Sequence, residues 1–257
     1  MKILKRVVLV LLVLVVVLIG AVAAILGPVF SGGVPQADDA ELAPGVRQIK
    51  DGMSSVVLVD GGGGAAALID CGNDEKGVAV LAALKAHNLT PEQVGSIFLT
   101  HGHPDHTAAC HLFPKAEVYA FEQDAPLAAG EKTSKGWLVS MMPPTEKAKQ
   151  IKVTKVLNDG QEISVGSLNV RALATPGHTQ GAASYLVNGV LCLGDNAMGK
   201  TDGVHGAPGP MSDDLKQNRD SLARLYEHLK AEGSVKTLEF AHTGPVQGID
   251  ALKDIKN

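Results

Sequence analysis

Thr100-His101-Gly102-His103-Pro104-Asp105-His106 puts four side chains able to ligate a metal within six positions. Gly102 and Pro104 keep the run out of regular helix or strand, so the imidazoles and the carboxylate can converge from a turn. The chain has nine histidines in 257 residues. At that composition an accidental H-x-H-x-D-H has a probability on the order of one in a thousand. Imidazole nitrogen and carboxylate oxygen at about 2.0 to 2.2 Å suit a borderline divalent ion such as zinc, and four such close ligands crowd one open tetrahedral ion. The spacing therefore points to two ions.

Outward from this run, the pattern alternates between strands and helices. Residues 96–100 form a short apolar strand that delivers the chain into His101 at its C-terminal end, a usual position for a site in α/β structures. Earlier strands are expected over 46–50, 55–59 and 65–69, followed by a helix over 75–87 and a helix start at Thr90-Pro91. Strands over 162–165 and 168–174 make one hairpin, and 182–187 and 190–194 make another across Asn188-Gly189, a type I′ turn signal. An amphipathic helix over 213–232 precedes a last strand at 237–241. Three further candidate ligands each follow a predicted strand: His178 in Thr175-Pro176-Gly177-His178-Thr179, Asp195 in Leu193-Gly194-Asp195-Asn196, and His242 in Phe240-Ala241-His242-Thr243-Gly244-Pro245. Hairpins, a strand ending in ligands and then helices recur in both halves, which two face-to-face sheets with outer helices accommodate.

In order and spacing, from about residue 46 to 248, these elements resemble the metallo-β-lactamase superfamily. The resemblance implies an α/β fold, a four-layer αββα sandwich of two mixed sheets flanked by helices, here with an N-terminal apolar helix. It assigns His101, His103 and His178 to a first metal, Asp105, His106 and His242 to a second, and Asp195 to a bridge between them. It also gives Asp70 a supporting role, hydrogen-bonding the metal loop rather than binding metal. Two zinc ions are the implied cofactors, with iron or manganese as alternatives. A bridging Asp at position 195 resembles glyoxalase II and lactonases more than β-lactamases proper, while only fifteen residues after His242 make the usual glutathione thioesterase form doubtful.

Two bridged cations would lower a water's pKa toward neutrality, hold the hydroxide for attack on a carbonyl and stabilise the oxyanion. Asp105 is the candidate catalytic side chain, placed to orient that hydroxide or pass a proton to the leaving group. The expected activity is hydrolysis of a small ester, thioester or lactone. The rivals are a β-lactamase, a mono-iron persulfide dioxygenase, a phosphodiesterase and a non-catalytic metal-binding domain.

The first thirty residues differ from the rest. Lys2, Lys5 and Arg6 precede an uncharged apolar run over 7–26, and no acidic residue occurs before Asp38. Twenty apolar residues at about 1.5 Å each reach roughly 30 Å, enough to span a bilayer. Residues 1–27 thus read as a signal anchor, or as a signal peptide with Ala21-Val22-Ala23 at its cleavage site. Either way the chain is exported, with the domain on the periplasmic or extracellular side, anchored through this segment or free if it is cleaved. Residues 28–44, rich in Pro and Gly, read as a linker, and 45–257 as the hydrolase domain. Without the three leader charges, 20 basic residues face 27 acidic ones, a net charge of 20 − 27 = −7. Such a surface disfavours nucleic acid as a partner and leaves a small-molecule substrate.

Cys71, Cys110 and Cys192 form no C-x-x-C pair and read as buried small apolar residues rather than a disulfide framework. His87, His111 and His228 read as ordinary surface or edge histidines. His205, in the Gly-rich loop 198–211, is a candidate to overhang the metals, and residues 137–144 are a candidate lid.

Overall fold

The structure, a computed structural model, describes residues 2–143, 145–147 and 150–256. It divides into two compact units, residues 1–32 and 33–257. The first is helix α1 (Lys2–Phe30). Among the described residues no helix is long and apolar enough to cross a membrane, so the spanning anchor expected over 7–26 is not supported.

In the second unit seven strands form one sheet in the order β1 to β7: β1 (Asp39–Ala43), β2 (Val46–Asp51), β3 (Ser54–Asp60), β4 (Ala66–Ile69), β5 (Val94–Phe98), β6 (Glu117–Ala120) and β7 (Lys155–Val156). The pairs from β1 to β4 are antiparallel and those from β4 to β7 parallel. β1 lies in the stretch expected to be a linker. Its acidic side chains account for this, since Arg47 on β2 pairs with Asp39 at 2.7 Å and Glu41 at 3.3 Å. The second sheet contains β8 (Glu162–Val165), β9 (Leu168–Ala174), β10 (Ala183–Val187), β11 (Val190–Cys192), β14 (Thr237–Glu239) and β15 (Val246–Gln247), in the order β15-β14-β11-β10-β9-β8. A small third ladder pairs β12 (Ala197–Lys200) with β13 (Gly203–Gly206).

Period-two alternation explains the layering. On β3, Val56 and Leu58 face α2 (Val78–Ala86) and pack with Val80, Ala83 and Leu84, while Val57 and Val59 face the second sheet. There they meet Val170, Ala172, Tyr185 and Val187. The opposite face of the second sheet, through Leu173, Leu186 and Leu191, packs on Leu222, Leu225 and Leu229 of α5 (Leu215–Glu232). α2, sheet, sheet, α5 is the expected αββα order. The Asn188-Gly189 turn has positive φ at both residues, as a type I′ hairpin requires. Asp214 caps α5 by accepting from the Gln217 N–H at 2.9 Å.

The cysteine expectation is overturned: Cys71 and Cys110 form a disulfide, and Cys192 alone remains a free, buried thiol. The pairing follows from the fold. Cys71 N–H donates to His106 O at 2.7 Å and Ala108 N–H to Gly72 O at 3.1 Å, so the loop after β4 lies against the segment after the metal run. Thirty-nine positions of sequence separate the two thiols, and no local motif registers that contact.

Candidate metal centre

The run 100–106 leaves the C-terminal end of β5 and becomes the single turn α3 (Pro104–Thr107), with Pro104 at its start. Gly102 is needed for close approach, since a Cβ there would lie 2.5 Å from the backbone nitrogen of Ala128, in α4 (Ala125–Ala128). Gly194, at φ 54°, brings the Asp195 loop beneath the run, and a Cβ there would meet the Thr100 side chain at 2.6 Å.

Two groups of side chains converge. In the first, His101 Nε2 lies 2.9 Å from His103 Nδ1 and 3.2 Å from His178 Nε2, and the last two are 3.1 Å apart. Ligands at 2.0–2.1 Å around a tetrahedral ion lie roughly 3.3 Å from one another, so this triangle has the size of three corners of such a site. In the second, His242 Nε2 lies 3.0 Å from Asp195 Oδ1 and 3.5 Å from Asp105 Oδ2. His106 Nε2 lies 3.4 Å from Asp195 Oδ1 and 3.7 Å from Asp105 Oδ2. Asp195 faces both groups, its Oδ2 being 3.6 Å from His178 Nε2. His106 Nε2 and Asp195 Oδ1 are buried without a hydrogen-bond partner, the condition of atoms that fit a shared cation better than each other. The donor set of imidazoles and carboxylates fits divalent zinc.

Hydrogen bonds set the imidazole tautomers. The Thr100 hydroxyl donates to Asp70 Oδ2 at 2.6 Å and so accepts from His101 Nδ1 at 3.1 Å, leaving Nε2 as the free lone pair. His106 Nδ1 donates to Asp70 Oδ2 at 2.8 Å. The Ser212 hydroxyl donates to Pro208 O and accepts from His178 Nδ1 at 3.0 Å. His242 Nδ1 donates to Met53 O at 2.6 Å. In all four the inward nitrogen is Nε2, whereas His103 turns Nδ1 inward.

The two groups differ in charge. Burial pushes His178 down to about 3 and lowers His103, and burial with the neighbouring imidazoles takes His101 well below the usual histidine range. Burial opposes the cation at His106 and His242 as well, but carboxylates outweigh it: Asp105, Asp195 and Asp70 hold His106 well above its ordinary value, and Asp195 with Asp105 lifts His242 to about 9. Against the penalty of burial, His242 and His106 hold Asp195 well below the usual carboxylate range. The first group is held neutral, and the second attracts positive charge.

All seven candidate ligands are thus brought together, with Asp70 beneath them. Sequence reasoning missed Asp124, which accepts from Gly102 N–H at 2.8 Å, Thr179 Oγ at 2.9 Å and Gly181 N–H at 2.8 Å, so one buried carboxylate ties the turns of His101 and His178. Burial raises its pKa, and those three donors oppose the shift. It also missed Ser212 and the Met53 carbonyl. A lone Asp after β6, a lone Ser and a backbone oxygen carry no pattern a linear reading detects. His205 stands apart, on β13 with Nε2 2.9 Å from Asp202 Oδ1, because the segment expected to be a loose loop is the β12–β13 hairpin. His87, His111 and His228 face Asp39, Ala108 O and Glu232. Of the candidate lid, residues 139, 142 and 143 line a cavity of about 290 Å³ with His103, Pro104 and Leu127. Pro144 lies outside the described residues.

The family model for the metallo-beta-lactamase superfamily matches residues 49–224, and the chain belongs to that superfamily. A hydroxyacylglutathione hydrolase of Yersinia pestis (strain Pestoides F) is 28% identical over 173 residues, which cover 63% of this chain and 57% of that protein. Glyoxylase B2 of Dictyostelium discoideum is 31% identical over 121 residues, 45% of this chain and 39% of that protein. The chain spans about half the length of the curated relatives it matches. Among solved structures, a B3 metallo-beta-lactamase with an active-site glutamic acid superposes with TM-score 0.65 at 18% identity, covering 86% of this chain and 87% of that one. A metallo-beta-lactamase from Cronobacter sakazakii gives TM-score 0.62 at 22% identity, covering 83% and 81%. At these identities the likeness is one of fold.

Proposed function

We propose that the protein is a metal-dependent hydrolase holding two zinc ions, which cleaves a small ester, thioester or lactone. The observation that carries this reading is the position of Asp195, whose two oxygens face a group of three neutral imidazoles on one side and His106 and His242 on the other. His101, His103 and His178 would hold one ion, Asp105, His106 and His242 the other, and Asp195 both. When bound, such ions supply water activation near neutral pH and polarisation of the substrate carbonyl. Asp105 is the carboxylate at the open side of the site, and we assign it the passage of a proton to the leaving group. Thr100, Asp70, Ser212 and Met53 O keep the imidazoles in the tautomer that ligation needs.

The cavity beside His103 is lined by the apolar Pro104, Leu127, Val139, Met142 and Pro143 together with polar groups that include Lys132 and Glu146, which favours a substrate with an apolar acyl group and a polar end. The hydroxyacylglutathione hydrolase relatives support the thioester arm of the proposal. We further propose that the domain is exported behind its basic and apolar leader. The Cys71–Cys110 disulfide supports an oxidising compartment.

The test is a panel of ester, thioester, lactone, β-lactam and phosphodiester substrates, run with metal analysis on the same preparation. Two zinc ions per chain and turnover of a carboxylic ester, thioester or lactone are expected. Fewer than one ion per chain, or iron-dependent oxygen uptake in place of hydrolysis, would overturn the proposal.

A further inference from the structure

Three polar side chains meet in the layer between the two sheets: Gln48 on β2, Ser55 on β3 and Glu239 on β14 are all buried there. Gln48 and Ser55 lie on the inward face with Val46 and Val57, so they reach from the first sheet to the second. Gln48 Nε2 is 2.8 Å from Glu239 Oε1, 2.9 Å from Phe240 O and 3.2 Å from Thr243 O. Ser55 Oγ is 3.0 Å from Glu239 Oε1 and 3.3 Å from Phe240 O. An amide NH₂ and one hydroxyl supply three hydrogens to Glu239 Oε1, Phe240 O and Thr243 O, with Ser55 Oγ itself 3.3 Å from Gln48 Nε2. Burial pushes Glu239 up to about 7, and the hydrogen bonds from Gln48 and Ser55 act against that shift.

The acceptors are not scattered. Phe240 O and Thr243 O bracket Ala241-His242, the turn by which β14 delivers its metal ligand. Gln36 Nε2 donates to Ala241 O in the same turn at 3.0 Å. The hairpin that carries Gln48 and Ser55 ends in the β2–β3 turn, whose Met53 O accepts a hydrogen bond from His242 Nδ1. In the same turn Ser54 Oγ donates to Asp105 O at 3.0 Å. One hairpin of the first sheet therefore holds the backbone of two ligands in the second group and orients the ring of one. The first group is fastened elsewhere, by Thr100, Ser212 and Asp124.

We propose that Gln48 is a positioning residue for the second metal: its amide, with the Ser55 hydroxyl, holds the 240–243 turn so that His242 Nε2 faces Asp195 and Asp105. This rests on the two-ion reading above. Loss of the amide leaves one hydrogen for three buried acceptors, and the turn moves to find water or new donors.

The full chain, stripped of metal, is titrated with Zn²⁺ against a chromophoric chelator in the wild type, Gln48→Leu and Ser55→Ala. In Gln48→Leu the second ion should bind about 10- to 100-fold more weakly, the range for groups that orient ligands, with the first ion unchanged. Ser55→Ala removes one hydrogen of the three and should weaken the second ion about fivefold. If Gln48→Leu does not fold, Ser55→Ala decides. Unchanged affinity for both ions in a folded variant, or equal weakening of both, overturns the assignment and leaves the two-ion reading standing. A wild type that takes up only one ion overturns that reading and this inference with it.

Discussion

The two halves of the metal centre share one carboxylate and little else. The His101, His103 and His178 half is buried imidazole, held neutral by desolvation and oriented by hydroxyls. The Asp105, His106 and His242 half draws positive charge through its carboxylates, opens toward solvent at Asp105 and takes its orientation from Asp70 and a backbone carbonyl. The difference teaches that similar ligands can present opposite demands. The first half offers lone pairs that need no proton removed, and the second must exchange protons for a cation.

Asp195 is where the comparison breaks most completely, because it faces both halves. Asp195→Ala should lower turnover on the order of 10³-fold, as several kcal/mol of charge stabilisation are lost, and should weaken both ions. Steady-state kinetics with zinc analysis would check this, and loss of one ion alone would argue against a bridge.

Next in size is the disulfide, which fastens the Asp70 loop to the segment behind His106. Closing a loop of 39 residues is worth about 4 kcal/mol by chain entropy. The Cys71→Ala, Cys110→Ala double variant should lose stability of that order in denaturant titration. In the metal-loaded state it should lose the second ion before the first.

Proton competition sharpens the contrast. His242 near 9 is protonated at pH 7 when no ion is bound, so an ion there must displace a proton, whereas His178 near 3 is already neutral. Apparent affinity for the second ion should therefore rise with pH, about 10-fold per pH unit below 9 for each proton released from His242 and from His106, which is also held above its ordinary value, while the first site stays flat. Calorimetry in buffers of different ionisation enthalpy would count the protons. Equal pH slopes at both sites would remove the distinction.

A smaller effect is expected for Asp70→Asn, since Asp70 touches His106 directly but His101 only through Thr100. Second-ion affinity should fall about 10-fold and first-ion affinity less. Chelator competition on the purified variant would measure both.

The αββα layers were legible because period-two burial on strands such as β3 and the 3.6-residue face of α5 are written in consecutive residues. The candidate ligands could be picked out because each follows a predicted strand at a turn containing Gly or Pro, a local pattern that four separate segments repeat, and the resemblance to the metallo-β-lactamase superfamily grouped them. β1 was not, since its place at the sheet edge depends on Arg47 pairing with Asp39 and Glu41 rather than on an apolar period. Nor was the hairpin over 197–206, whose glycines resemble a loop until Met198 pairs with His205.

The sequence by itself determined which side chains are candidate ligands and the layer order that brings them together, and its resemblance to the superfamily implied their division into two groups. Only the tertiary structure decided how those atoms are held. Asp124 spans two ligand turns, Cys71 reaches Cys110, and Gln48 crosses between sheets to the His242 turn, contacts between residues 22 to 195 positions apart. Chemistry of that kind depends on distance in space, and a linear pattern records only neighbours along the chain.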